Sequence, residues 1–207
     1  MAMGKYELDS SETRYQPGSN DTVIVNHLGI TDTREMDDIE ALLLIKLYEK
    51  LFVTNELDSD HLSFADISVW HRQWLGNVYE WAGKVRNVDM GKGGFQFASP
   101  RQIGHCIDLF EDEYLSQVST LPSMDLEERV AYLARSHVEF ILIHPFREGN
   151  GRISRLLMDY MCNKAGLGLL DYSLWDEHKA FYIASIQAGL NHDYQHMERL
   201  VRDILVR

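Results

Sequence analysis

Apolar residues recur every three or four positions along most of this chain, the spacing of one buried face on an α-helix. From Met36 to Val53 (MDDIEALLLIKLYEKLFV) acids occupy the first turn, and Ile39, Leu42, Leu43 and Leu47 follow at helical spacing. From Phe64 to about Trp81 the pattern predicts a second helix, on which Trp70, Trp74 and Trp81 form an aromatic, core-facing side. Ser99 and Pro100 start a third, with proline at its first position, running to about Gln117. Asp125 to Ile143 reads as a long helix, with Asp125 as N-cap and Glu128 in the reciprocal capping position. Its apolar side is Val130, Leu133, His137, Phe140 and Ile141. The next helix runs from near Gly151 to Ala165, with Gly166 closing it, and two more cover about Leu174 to Ala188 and Asp193 to the C-terminus.

Two stretches break the helical period. In residues 84–98 (KVRNVDMGKGGFQFA), Val85 and Val88 precede Gly91, Gly93 and Gly94, and Phe95 and Phe97 then alternate, the signature of a β-hairpin with a glycine turn. Residues 1 to about 34 are polar, with a Pro17-Gly18 pair, and read as an extended arm. The expected fold class is therefore all-α, a helical bundle with one small β-hairpin. The expected organisation is an N-terminal arm over 1–21 and a single domain over 22–207.

Composition narrows the function. The 207 residues carry a formal net charge of -12, which argues against a nucleic-acid partner, since such proteins need a basic face for phosphates. The longest apolar run, ALLLI, is far too short to cross a bilayer, and the first residues have no signal-peptide core. The expectation is a cytoplasmic protein without a membrane partner, delivery to another cell remaining open. Cys106 and Cys162 lie in helical segments and read as buried thiols.

The chemistry concentrates in residues 144–155, HPFREGNGRISR. His144-Pro145 ends one helix, because the residue before a proline is pushed out of the α region. Gly149, Asn150 and Gly151 open the next, where free backbone N–H groups and the helix dipole make an anion nest. Arg152 and Arg155, three apart, share the helix face beyond it. A nest plus two arginines suits a di- or triphosphate. Glu148 beside phosphates is repulsive unless a cation intervenes, which makes it a candidate ligand for Mg²⁺. His144 at the mouth of the turn is a candidate base for a hydroxyl. The turn can thus transfer a group from a nucleoside triphosphate to a hydroxyl. There is no G-x-x-x-x-G-K-[ST] loop, so this is not a P-loop NTPase. His192 and His196, at i and i+4, lack the HExxH context of a metal hydrolase and read as surface residues.

HPFREGNGRISR matches every fixed position of the Fic motif, HPFx[D/E]GNGRxxR. VYEWAGKVRNVDMGKGGFQFASP resembles that family's segment leading into its flap hairpin, and NHLGITD (26–32) its lead-in to the first helix, so the resemblance covers about residues 22–200. It implies the Fic fold, with the hairpin as a flap beside the active-site loop, and a protein adenylyltransferase that moves AMP from ATP onto a Ser, Thr or Tyr hydroxyl of a target protein. It implies His144 as base and Glu148 as Mg²⁺ ligand. Gly149, Asn150 and Gly151 would form the anion turn with Asn150 near the α-phosphate, Arg152 and Arg155 would grip the β- and γ-phosphates, and a buried Phe146 would anchor this ATP-binding loop. Lys92, Gly93, Gly94 and Phe95 would pair with the target by β-augmentation. Gly151, where Doc-type kinases carry lysine, favours nucleotide transfer over phosphate transfer.

Many relatives carry an inhibitory helix, [S/T]xxxE[G/N], whose glutamate pairs with the second motif arginine, here Arg155. Only Glu148 in this chain precedes Gly or Asn. The brake is then expected from a separate small antitoxin-like protein, with a diverged helix carrying Glu35 or Glu198 as the alternative. Rival readings are a Fic module that binds nucleotide or peptide without transfer, and a Fic enzyme that moves another phosphate-containing group.

Overall fold

The computed structural model describes residues 11–53, 61–92 and 95–206. Helix α1 (Thr33–Tyr48) starts three residues before the predicted Met36, because the Asp32 side chain accepts the Glu35 N–H and caps it. It widens into a π-helical turn over Glu49–Val53. Helix α2 (Phe64–Leu75) opens with a capping box between Ser63 and Asp66. It stops short of the predicted Trp81, where Gly76 and Asn77 follow and the chain turns, with Val78 and Tyr79 N–H groups both reaching the Leu75 carbonyl. Trp81 nonetheless stays in the core, 2% exposed and stacked on Tyr79. The aromatic face survives the end of the helix.

The hairpin is shorter than the alternation implies. Strands β1 (Gly91–Lys92) and β2 (Phe95–Gln96) pair antiparallel, Gly91 against Gln96 and Lys92 against Phe95. Val85 and Val88 lie outside them, because the backbone here bonds to the 144–155 loop instead: Arg86 N–H donates to the Pro145 carbonyl at 2.9 Å. Gly93 and Gly94, predicted at the tip, lie outside the described residues.

Helix α3 (Pro100–Glu113) ends before the predicted Gln117 and continues as a 3₁₀ stretch, Leu115–Ser123. Helix α4 (Leu126–Ile143) has the predicted Asp125–Glu128 capping box. Helix α5 (Asn150–Lys164) is buried almost all round, as a central helix must be. The single helix expected over 174–188 is two, α6 (Ser173–Glu177) and α7 (Lys179–Ala188), broken at His178. The break keeps Trp175 fully buried, its Nε1 donating to the Leu200 carbonyl at 3.1 Å, while Asp176 is directed to Arg155. Helix α8 (Gln195–Leu205) completes the bundle. Helix α4 packs against α3, α5, α7 and α8, and α2 against α1 and α5, so the loop between α4 and α5 sits where both layers meet. Cys162 is buried as expected, whereas Cys106 is only half-buried.

Residues of the N-terminal stretch pack on this frame. Tyr15 bridges to Ile24, and the Glu12 side chain, 7% exposed, accepts the Asn87 N–H at 3.1 Å. No helix among the described residues is long and apolar enough to cross a membrane.

Candidate active site

The α4–α5 loop is over-determined by its own residues. His144 caps α4 in the left-handed region, at φ 50° and ψ 58°, a conformation costly for any residue with a Cβ. Phe146 is fully buried between His71 (ring centroids 4.0 Å apart) and Phe64 (5.7 Å). His71 in turn receives the Gly83 N–H at Nδ1, so its other nitrogen carries the proton and donates to the Glu148 carbonyl at 3.1 Å. Burial holds the His71 imidazole neutral, its pKa lowered to about 4.

Asn150 is tied into the loop itself. Its side chain is 2% exposed and bonds the Phe146 backbone at both ends, Oδ1 accepting the N–H at 2.9 Å and Nδ2 donating to the carbonyl at 2.8 Å. These bonds make the side chain a brace of the loop, and they leave one Nδ2 proton and the backbone N–H uncommitted to Phe146. Gly149 sits at φ +80°, and a Cβ there would lie 2.6 Å from the Trp74 ring. A Cβ at Gly151 would meet nothing within 4 Å, so the second glycine leaves open space above the helix N-terminus.

His144 is both oriented and shielded. Its Nδ1 lies 3.2 Å from the Ile141 carbonyl, an acceptor only, which places the proton on Nδ1 and leaves Nε2 with its lone pair. Phe97 stacks on the ring, centroids 3.6 Å apart, and Phe95 packs edge-on against Phe97. Burial, with Arg86 and Lys92 nearby, lowers the His144 pKa to about 4 despite the Ile141 bond, so the imidazole is neutral at physiological pH. Lys92 of the predicted flap is thus brought near the base.

The two arginines are held differently. The Arg152 guanidinium lies 4.6 Å above the Trp74 ring, with Nη2 2.7 Å from Glu40 Oε2 and 3.5 Å from Glu148 Oε1. Arg155 makes a bidentate pair with Asp176 (2.6 and 3.1 Å) beside the rings of Tyr172, Trp175 and Tyr182. Neither glutamate suggested for a diverged inhibitory helix reaches Arg155: Glu198 lies 3.9 Å from Arg135, and Glu35 is exposed at the start of α1. Both arginines line a cavity of about 550 Å³ walled by Leu44, Ile45, Phe52 and Leu169.

Glu148 is half-exposed, and its Oε1 accepts the Gly149 N–H at 2.9 Å, so its carboxylate caps the nest. Among the described residues no group of three or more His, Cys, Asp or Glu could hold a metal. One exposed carboxylate beside an anion nest is instead a donor set that fits Mg²⁺ completed by phosphate oxygens and water.

Four residues of this site escaped the sequence pattern. Arg86, 2% exposed, donates to the carbonyls of His144, Val88 and Ala98 (2.6 Å each) and Ile143 (3.3 Å), tying the base of the flap to the loop. Phe97 appeared only as part of the alternation, and Glu40 and Asp176 as ordinary helix acids. An arginine between valines in an otherwise half-polar stretch was the one signal available for Arg86.

Known proteins resemble this chain in sequence and in fold. The Fic/DOC family profile matches residues 61–162. The chain is 32% identical to a probable protein adenylyltransferase, y4lH, of Sinorhizobium fredii, over 83% of this chain and 85% of that protein. It is also 32% identical to the protein adenylyltransferase VbhT of Bartonella schoenbuchensis, over 74% of this chain and 33% of that protein. The chain therefore spans about a third of VbhT and, likewise, a quarter of the Caenorhabditis elegans adenylyltransferase fic-1. The BepC effector of Bartonella tribocorum, solved with bound AMPPNP, superposes with a TM-score of 0.75 at 24% identity, over 88% of this chain and 92% of that one. The N-terminal Fic domain of an effector from Bartonella sp. AR 15-3 superposes with a TM-score of 0.77 at 22% identity, over 92% and 89%. Motif, fold and relatives agree: this chain belongs to the Fic/DOC family.

Proposed function

We propose that this protein is a protein adenylyltransferase, which transfers AMP from ATP to a Ser, Thr or Tyr hydroxyl of a target protein. The observation that carries the reading is a neutral imidazole, fixed in one tautomer, on the same short loop as an arginine-flanked helix N-terminus. The relatives named protein adenylyltransferases support it.

In this reading the target segment pairs with the flap strand, which presents its hydroxyl to His144. Nε2 takes the hydroxyl proton as the oxygen attacks the α-phosphorus. A P–O bond to the target forms, the bond bridging the α- and β-phosphates breaks, and pyrophosphate leaves with the electron pair. Arg152, Arg155 and the backbone N–H groups of Asn150 and Gly151 hold the β- and γ-phosphates and stabilise the charge that collects on the leaving group. Phe146 contributes through the loop backbone it anchors. Glu148 would hold Mg²⁺, which would supply neutralisation of the phosphate charge. The imidazolium then loses its proton to solvent.

The cavity beside Arg155 supports a second element of the reading, a small inhibitory partner. Ile45 (57% exposed), Val53 (79%) and Leu169 (53%) make its wall apolar, and Arg155 supplies a cation for a partner's carboxylate. Such a partner would be an amphipathic helix with one acid, competing with the γ-phosphate. Action inside the cytoplasm of the producing cell or of a recipient cell is compatible with both elements.

The test is transfer from ATP labelled at the α-phosphate, with Mg²⁺, using purified protein in cell lysate beside His144→Ala. Protein-bound label that disappears in His144→Ala is the expected result. Transfer of γ-label instead replaces adenylylation with kinase chemistry. Nucleotide binding with no transfer of either label favours the binding-module reading.

A further inference from the structure

Glu40 lies in the middle of α1, outside the motif, and is 3% exposed. A carboxylate this deeply buried must have both oxygens paired, since an uncompensated buried charge is strongly destabilising. Its Oε1 accepts the Tyr79 hydroxyl at 2.7 Å, and its Oε2 lies 2.7 Å from Arg152 Nη2. Its own carbonyl accepts Trp74 Nε1 at 2.8 Å. That indole is the platform beneath the Arg152 guanidinium, and the same ring crowds Gly149 of the nest.

These contacts form one assembly. Glu40 grips the guanidinium at one edge and also fixes, through its backbone, the ring on which the guanidinium's face rests. Arginine has five N–H donors, and Glu40 engages Nη2. The remaining edge faces the cavity it shares with Arg155. Glu148, by contrast, approaches the same Nη2 only at 3.5 Å and is half-exposed, so it is free to leave when a ligand arrives.

We infer that Glu40 is a positioning residue for polyphosphate binding: it acts through Arg152, holding that guanidinium in the orientation that receives the phosphates beyond the α-phosphate. This rests on the adenylyltransferase reading of the site and adds a residue from α1 to it. An arginine already immobilised loses less side-chain entropy when the ligand binds. The inference therefore concerns nucleotide affinity and not proton transfer.

The experiment compares binding of Mg²⁺–AMPPNP and of AMP by calorimetry in four proteins: wild type, Glu40→Gln, Arg152→Ala and the double variant. Glutamine keeps the size and one acceptor oxygen but removes the charge. The expected result for Glu40→Gln is AMPPNP affinity weaker by about three- to tenfold, the worth of one long side chain left to be ordered by the ligand. AMP, which lacks the outer phosphates, should bind as in wild type. In the Arg152→Ala background Glu40→Gln should add no further loss, because the residue through which it acts is gone. Equal AMPPNP affinity in wild type and Glu40→Gln overturns the inference. So does a loss that is the same for AMP, or that persists undiminished beside Arg152→Ala, for either marks a general structural role. If wild type itself binds no AMPPNP, the nucleotide reading of the site fails first and this inference with it. Should Glu40→Gln not fold, Tyr79→Phe, which loosens the carboxylate without removing its charge, carries the same comparison.

Discussion

At the residue scale the two motif glycines do different jobs, and mutation separates them. Gly149→Ala must place a Cβ 2.6 Å from the Trp74 ring at φ +80°. It should cost about 2 kcal/mol or more of stability, seen as a lower midpoint in urea. Gly151→Ala meets no atom and gains helix propensity, so stability should hold or rise by up to about 1 kcal/mol. Its methyl group would nonetheless occupy the space above the nest, and nucleotide affinity should fall. His144 makes a second prediction. With a folded-state pKa of about 4 it is neutral down to well below its ordinary range, so the acid limb of kcat/KM, which reports the free enzyme, should lie near pH 4. The limb of kcat should lie higher, because bound phosphates favour the imidazolium. A limb at about 6.5 in kcat/KM would show that His144 is not buried beneath Phe97 in the free enzyme. The motif residues were legible because their types are unusual for a helix. Asn150 was legible as a position but not as a role, since spacing cannot tell a side chain that braces the loop from one that touches a ligand.

At the element scale, helices with full apolar stripes and caps were readable, above all α4 with its Asp125–Glu128 box. Boundaries failed where tertiary contacts decided them. Helix α2 ends at Leu75 although Trp81 continues its buried face, and the α6–α7 break follows from what Trp175 and Asp176 must reach. The flap looked like a longer hairpin because its alternation is real, but strand pairing is confined to Gly91–Lys92 and Phe95–Gln96, while the Arg86 N–H donates to the Pro145 carbonyl and the Ala98 N–H to that of Leu142. Arg86 is the joint between these elements. Arg86→Met would leave the partly buried carbonyls of His144, Val88 and Ala98 without this donor, each costing up to about 1 kcal/mol. Arg86→Lys should recover little, since a point charge cannot serve several divergent carbonyls. The expected readout is lost transferase activity together with faster proteolysis within residues 84–98, while α4 and α5 stay protected from hydrogen exchange.

At the scale of the whole molecule, buried neutral histidines set the acid limit of stability. His137 on α4 is 2% exposed, its Nε2 lies 2.8 Å from the Tyr182 hydroxyl, and burial lowers its pKa to about 3. With the folded pKa below the unfolded one, the unfolded chain binds the proton first. Stability is therefore full above about pH 6.5 and falls as the pH drops toward 3, by up to about 1.4 kcal/mol per pH unit for this group. The melting temperature of His137→Gln should fall less steeply between pH 6.5 and 4.5 than that of wild type. The overall charge of -12 was read from composition as an argument against nucleic acid, and the site sharpens that picture. Arg152 and Arg155 face Glu40, Glu148 and Asp176, one more carboxylate than arginine. Its consequence lies in encounter kinetics. Nucleotide-binding clefts that attract their ligand from a distance lose association rate as ionic strength rises. Here the long-range field opposes a polyanion, and recognition begins only at contact, when phosphate displaces carboxylate. Added salt should therefore raise the association rate constant for ATP in stopped flow, by screening repulsion over the Debye length.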